Sequence, residues 1–462
     1  MAQKNEVPAL IITLLITLGL LGAGYWFWKN KIASNDTGAR NPSVSAGNRQ
    51  SSGDSLMIPA DSTENKRAGI EAFGKGNYSE AIERFQASLK EQPNDPETRI
   101  YLDNARAAAK NPLKIAVVVP IGGNLNVAKE ILRGVAQAQE EVDRAGGIDG
   151  RGLQVTIVND DNVPKVSRAV AADLVKDPEI LAVIGHNSSD ATLAAAPEYQ
   201  KGGLVMISPT SNSAKISPLG DYIFRTIPTI GVDAETLARY SVESIRQKNV
   251  AICIDSKSNA SRSLSDAFRA ALTARGGKAI DIDCDFVAGN FNADAIVPKA
   301  IANGAGAILL NPSIDRLNGA ISVARSNGQR LPLLGASTMY TFQTLERGQE
   351  AVNGMVLVAP WHPDAFPNNP FPANARKLWG GDVSWRSALA YDATRAVIEG
   401  LKKSGGNRQA LQKTLAASDF SANGASGAIR FLPSGDRRAN LLLVEIVPGQ
   451  KSATGFDFVP IR

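Results

Sequence analysis

The 462-residue chain is poor in residues that perform chemistry, with two cysteines, Cys253 and Cys284, and two histidines, His186 and His362. Two cysteines are too few for a disulfide framework, and their spacing matches neither CxxC nor a metal-ligand pattern. Both stand beside aspartates (CID and DCD), where a thiolate is disfavoured, so nucleophilic catalysis is not expected. Two histidines poorly supply a metal site or a triad. His186 ends an apolar run and reads as structural. His362 lies in APWHPDAFPNNPFP with no partner at metal spacing, and Trp361, Phe366 and Phe371 there read as packing residues. No GxxxxGK[ST] is present, and no GxGxxG leads from a strand into a helix. Neither a catalytic function, nor a cofactor, nor a metal ion is expected. Charge is also sparse in one sense. Lys and Arg exceed Asp and Glu by 50 to 45, a net +5 with no long single-sign run, so nucleic acid is not implied. The remaining composition, 44% hydrophobic and 21% charged, is that of a globular chain.

The average conceals strong segmentation. Pro8 to Trp28 carries no charge. Its 21 residues, at about 1.5 Å each, span roughly 30 Å, enough to cross a bilayer core. Tyr25, Trp26 and Trp28 suit the membrane interface, and Lys29 and Lys31 follow. A cleaved signal peptide is the rival reading. The length, the aromatic end and the lack of a small-x-small cleavage pattern favour an N-terminal transmembrane anchor over residues 1–29. The few flanking lysines lean toward a cytoplasmic C-terminus, but long domains translocate regardless of charge. Residues 30–62, containing NPSVSAGNRQSSGDS, read as a flexible linker.

Residues 63–110 turn helical. The segment GNYSEAIERFQASLKEQPNDPETRIYL resembles a tetratricopeptide repeat over about one and a half units. Small and large apolar residues at three and four spacing let such helices pack closely. A spacer or docking role fits so short an array better than a peptide groove.

From 111 to 462 short apolar runs alternate with amphipathic stretches. Runs such as KIAVVVP, LQVTIVND, NVAICID and GAILLN are β-branched and bounded by Gly or Pro, as buried parallel strands are. About 350 residues exceed one core, so two α/β lobes are expected, with a ligand at the carboxyl ends of the strands.

The residues at those ends carry a resemblance. AGGIDGRGLQVTIVNDD, VIGHNSSDATLAAAPEYQKGGLVMISPTSNSAKIS and YIFRTIPT are similar to the type I periplasmic binding proteins that bind leucine, isoleucine, valine and related solutes for ABC transporters. The similarity covers essentially all of 113–462. It implies two lobes joined by three crossovers, with the ligand between them. It implies a ligand carboxylate at Ser189, with Ser188 beside it, and further polar contacts from Thr210 and Asn212. Asp190 slightly opposes an anion there, or caps the helix. Two departures stand out. The turn SKSNASRS offers Asn259 and Ala260 where the family presents an aromatic. Ser337 stands where the family presents an acid to the ligand ammonium. Losing that acid removes a charge-assisted hydrogen bond of about 1.5–3 kcal/mol. Thr338, Tyr340 or the acid-rich stretch 281–285 are candidates to compensate.

These features lead to a membrane-anchored, extracytoplasmic solute-binding protein of the inner membrane. It would take a small amino-acid-like or carboxylated ligand and work with an ABC permease or as a sensor. The alternative is a non-catalytic regulator of a membrane or cell-envelope complex with a vestigial cleft, since a helical unit ahead of this fold also resembles the lipoprotein activators of cell-wall synthases.

Overall fold

The computed structural model describes residues 49–461. The expected anchor and most of the expected linker lie outside the described residues. No helix among the described residues is long and apolar enough to cross a membrane.

The end of the expected linker is ordered. Gln50–Ser51 forms a short strand, β1, pairing antiparallel with β3 (Leu153–Asn159) across the register Gln50 to Val158. Three helices follow: α1 (Glu64–Gly74), α2 (Tyr78–Glu91) and α3 (Pro96–Ala107). Each start is capped by its own sequence: Thr63, Asn77 and Asp95 accept backbone N–H bonds from the first turn. Gly69 lets α1 lie against Phe85, where a Cβ would come within 2.6 Å of the ring. Buried Lys66 lies 2.7 Å from both Asp95 and Glu97, and Glu97 also accepts the backbone N–H of Met57 and Ile58. The unit is not held away from the large domain. Asn104 of α3 donates to Val155 O at 2.7 Å and accepts from Val155 N at 2.8 Å, continuing the hydrogen-bonding edge of β3.

The chain then builds the first lobe from β2 (Leu113–Val119), α4 (Leu125–Arg144), β3, α5 (Pro164–Lys176), β4 (Ile180–Ile184), α6 (Ser189–Gly202), β5 (Val205–Ser208) and β6 (Ile223–Arg225). The sheet order is β1-β3-β2-β4-β5-β6, parallel except at β1. Next come α7 (Ile230–Arg239), β7 (Asn249–Ile254), α8 (Asn259–Ala274), β8 (Lys278–Ile280), α9 (Ala293–Ala302), β9 (Ala307–Asn311), α10 (Leu317–Asn327), β10 (Leu333–Gly335), α11 (Phe342–Gly348) and β11 (Val356–Ala359). These form the second lobe. The chain returns through α12 (Pro370–Trp379), α13 (Trp385–Ser404), α14 (Arg408–Ala416) and the small pair β12 (Ala422–Gly424) and β13 (Gly427–Ile429). It closes the second sheet with β14 (Leu442–Pro448) and β15 (Phe456–Pro460), in the order β15-β14-β11-β10-β9-β7-β8. That terminal hairpin is antiparallel, so the second sheet is mixed.

Three segments, 226–229, 360–369 and 430–441, therefore cross between lobes. Close packing fixes where they land. Gly134 of α4 faces α13 so tightly that a Cβ would lie 2.0 Å from Ser387 O. The aromatics of the Pro-rich crossover are core residues, with Trp361 and Phe371 buried edge to face at 5.6 Å. At the first and third crossings, Arg225 Nε lies 2.5 Å from Asp436 Oδ1, and both residues are buried.

The two cysteines, too few for a framework, pair with each other: Cys253 of β7 and Cys284 form a disulfide. They meet because Ile254 N donates to Cys284 O, bringing the segment after β8 alongside β7. With a separation of 31 residues, loop-closure entropy gives about 3–4 kcal/mol of stabilisation. Reduction, or Cys253→Ala with Cys284→Ala, is expected to lower unfolding free energy by that amount in denaturant titrations. Asp436→Ala is expected to cost about 3–5 kcal/mol, because it strands the buried Arg225 charge.

Candidate functional site

The first wall is built where β4 and β5 end. Ser188 caps α6, accepting from Ala191 N at 3.1 Å, so Ser189 sits in the first turn with free helix N–H groups around it. Ser189 is itself buried, and its Oγ accepts from Ser213 N at 3.2 Å. Thr210 Oγ1 donates to Asn187 O at 2.7 Å, tying the turn after β5 to the turn after β4. Arg225 donates to Ser211 O, Ser213 O and Ser217 Oγ, so the guanidinium holds the serine-rich turn from beneath. His186 is structural, as expected: wholly buried, with Nδ1 2.6 Å from Asp160 Oδ2 and Nε2 3.0 Å from Tyr199 Oη. Burial would raise the Asp160 carboxyl, but His186 and neighbouring donors outweigh it and hold it below the ordinary range.

The second wall comes from the turns after β7, β9 and β10. Together the walls enclose a cleft of about 300 Å³. Five of the six residues expected from sequence line it: Ser188, Ser189, Thr210, Asn212 and Ser337. Asn259 does not. It begins α8 and bonds across the cleft mouth to the first lobe, with Nδ2 2.5 Å from Asp190 Oδ1 and its backbone N 3.2 Å from Asp190 Oδ2. Lys215 Nζ donates to Asn259 Oδ1 at 3.0 Å, and Ser213 Oγ meets Ser263 Oγ at 2.9 Å. The lobes are thus closed on each other. Asp190 neither caps α6 nor points at an anion alone; its carboxylate is occupied by Asn259.

The structure supplies groups that sequence reading missed. Trp385, at the start of α13, brings an aromatic to the cleft, with the Arg386 guanidinium 4.5 Å from its ring centroid. More important is Asp233 of α7, which lines the cleft and is fully buried. Its Oδ2 accepts from Asn212 Nδ2 and Ser337 Oγ, each at 3.4 Å, while its Oδ1 has no hydrogen-bond partner. Burial pushes this carboxyl up to about 7, against the pull of Ser337 and, more distantly, of Arg225. Of the candidates to replace the missing acid, Thr338 lines the cleft, Asp285 is turned into bonds with Ser256 N and Val287 N, and Tyr340 lies in another cavity. That other cavity, about 490 Å³, also holds His362, whose Nε2 bonds Phe458 O. Of its acids, Asp364 pairs with Lys451, Asp382 with Arg376 and Glu130 with Arg386, while Asp457 accepts the backbone N–H groups of Lys451 and Ser452. No group of three or more His, Cys, Asp or Glu suited to a metal occurs among the described residues.

The geometry is therefore a closed, polar, two-walled cleft at strand ends, with anion-ready helix N–H groups on one side and a buried acid on the other. Known proteins share the family profile and the fold. The profile of the family described as "Periplasmic binding protein" matches residues 112–450. The chain is 24% identical over 332 residues to the "Leucine-, isoleucine-, valine-, threonine-, and alanine-binding protein" of Pseudomonas aeruginosa, covering 71% of this chain and 88% of that one. It is 25% identical over 310 residues to the Leu/Ile/Val-binding protein of Escherichia coli, covering 66% and 83%. Among solved structures, a leucine binding protein of Thermotoga maritima superposes with a TM-score of 0.67 at 21% identity, covering 76% of this chain and 99% of that one. A solute binding protein of Rhodopseudomonas palustris BisB5, in complex with 3,4-dihydroxy benzoic acid, gives 0.65 at 19% identity, covering 76% and 96%. With its family profile matched over well more than half its length, this chain belongs to the periplasmic binding protein family, whose members bind solutes outside the cytoplasm and do not catalyse reactions.

Proposed function

We propose that the chain is the receptor component of an ABC-type uptake or sensing system, closing its lobes around a small carboxylated or amino-acid-like solute. The observation that carries this reading is the first wall. Ser189 and the first-turn N–H groups of α6 converge on a cleft whose mouth the Asp190–Asn259 contact spans. A carboxylate there gains directed N–H and O–H donors and the favourable end of the helix dipole. Ser188 orients the turn as a cap, Thr210 and Asn212 present polar groups from the next turn, and Ser337 contributes from the far wall. Asn259 acts as a latch rather than a ligand contact. Binding energy then draws an open–closed equilibrium toward the closed form. The names of the relatives, which bind branched-chain amino acids or, in one solved structure, an aromatic acid, point to the same ligand classes.

In this proposal Pro8 to Trp28 anchors the protein in the inner membrane and the binding domain lies on the extracytoplasmic side. The disulfide agrees with an oxidising compartment. The helical unit α1–α3, seated on the first lobe, is the surface through which the receptor meets a membrane partner.

A screen of amino acids and organic acids by thermal unfolding tests the reading. A true ligand at a hundred times its Kd should add about 2.7 kcal/mol to stability. Ser189→Ala should weaken that ligand by about 10–150-fold in calorimetry, the loss of one hydrogen bond to a charged group. Absence of any ligand, together with co-purification with a membrane complex, would instead support a partner-binding regulator with a vestigial cleft.

A further inference from the structure

Solute binding leaves open whether the ligand carries a cation, and the far wall bears on that. Ser337 occupies the position at which an acid was expected, and its Oγ points its bond at another acid, Asp233. The carboxylate has moved to a different element. Asp233 lies on α7, the first helix after the crossover, and reaches the same end of the cleft. Its surroundings are arranged around an acceptor. Asn212 Nδ2 and Ser337 Oγ both donate to Oδ2, and the charge of the Arg225 guanidinium favours the ionised form. Oδ1 is left buried and unpartnered beside the cleft. A buried carboxylate oxygen without a protein donor is costly, which makes it a ready acceptor for a donor on a ligand.

The position of that oxygen points to the donor it would take. Asn212 contacts Asp233, and its neighbour Ser213 donates to Ser189 Oγ in the carboxylate wall. One turn of chain thus joins the anion-ready group to the unpartnered acid. A ligand reaching both carries a negative and a positive group close together, as an α-amino acid does with both on one carbon. We propose that Asp233 is the specificity-determining acid of this cleft, accepting the ligand ammonium through Oδ1 and selecting α-amino acids over plain carboxylic acids. This rests on the solute-binding reading above and narrows it.

The same geometry makes binding pH-sensitive. In the ligand-free protein burial holds the Asp233 proton up to about 7, so the ammonium must displace it at lower pH. Affinity should therefore fall about tenfold per pH unit below 7 and level off above. Free-protein stability has the opposite sign: the folded state binds this proton more tightly than the unfolded chain, so that contribution is present below about pH 4 and is lost as pH rises through 7. The other charged groups on the cleft walls are Asp190, Asp255, Asp315, Lys257, Arg316 and Arg386. Of these, Asp190 is bonded to Asn259, Asp255 accepts from Ser313 Oγ at 2.5 Å, and Arg386 is paired with Glu130. On α7 and α8, the Glu235–Arg275 pair lies on the exposed side.

The test uses calorimetry on the protein with each protein L-α-amino acid and its deamino carboxylic acid, from pH 5.5 to 8.5. The expected result is one or more amino acids binding at least tenfold tighter than their deamino partners, with the pH slope above. Asp233→Asn, of the same shape, should abolish both the preference and the slope while retaining cooperative unfolding. Deamino acids binding as well as amino acids, through a Ser189-dependent site, would overturn this inference and leave the solute-binding reading standing. A flat pH profile for a bound amino acid in the unmodified protein would overturn it without recourse to any variant. Binding of neither set would overturn both.

Discussion

The guanidinium of Arg225 is the constraint on which the site depends. It stands at the last residue of β6, where the first lobe ends, and spends its donors in three directions. One goes to Asp436 on the third crossover, others to the carbonyls of Ser211 and Ser213, and another to Ser217 Oγ. A fully buried charge is tolerated only with such complete pairing. The consequence is geometric. The serine-rich turn that presents Thr210 and Asn212 is fixed to the hinge, so the cleft wall and the lobe connection form one rigid piece. The same charge moderates how far burial raises the Asp233 carboxyl.

Around this piece the walls divide the work. The first wall is built almost wholly from short hydroxyl and amide side chains whose bonds run to backbone groups. Such side chains are already ordered before a ligand arrives, so little rotamer entropy is lost on binding. The second wall contributes the acid and, through the chain's return at α13, the indole of Trp385. The mouth is closed by the Asp190–Asn259 and Ser213–Ser263 contacts, which are polar and partly exposed. Polar latches of this kind are worth little each, and that is what a receptor that must reopen requires.

Much of the frame was legible along the chain. The strand ends after IGH and ISP fall where the walls form, because a β-strand feeding a helix N-terminus leaves the same exposed N–H groups whatever the rest of the fold does. Ser188, Ser189, Thr210 and Asn212, which the family resemblance implied, stand at those ends and line the cleft. Asn259 was misassigned because its backbone position is at the cleft while its side chain is turned toward Asp190 of the other lobe. Asp233 was missed because nothing local marks it: one aspartate in the first turn of a helix looks like a favourable dipole contact and no more. The helical unit reads from sequence as a spacer or docking unit, and its attachment to the first lobe is not marked there, since its own three and four spacing is satisfied internally. The asparagine that fastens it to β3, Asn104, lies among ordinary polar residues.

By itself, then, the amino-acid sequence determined the α/β class and the alternation of strands and helices, properties set by residues near one another in the chain, and its resemblance to a known family marked the first wall. Only the tertiary structure decided the Cys253–Cys284 pairing, the closure of the lobes and the identity of the buried acid. Those depend on which distant turns are brought together and on how much water is left between them. Ser337, which sequence marks as a missing charge, is in the folded protein a donor to another carboxyl, that of Asp233. That contact is visible only when α7 and the turn after β10 share one desolvated space.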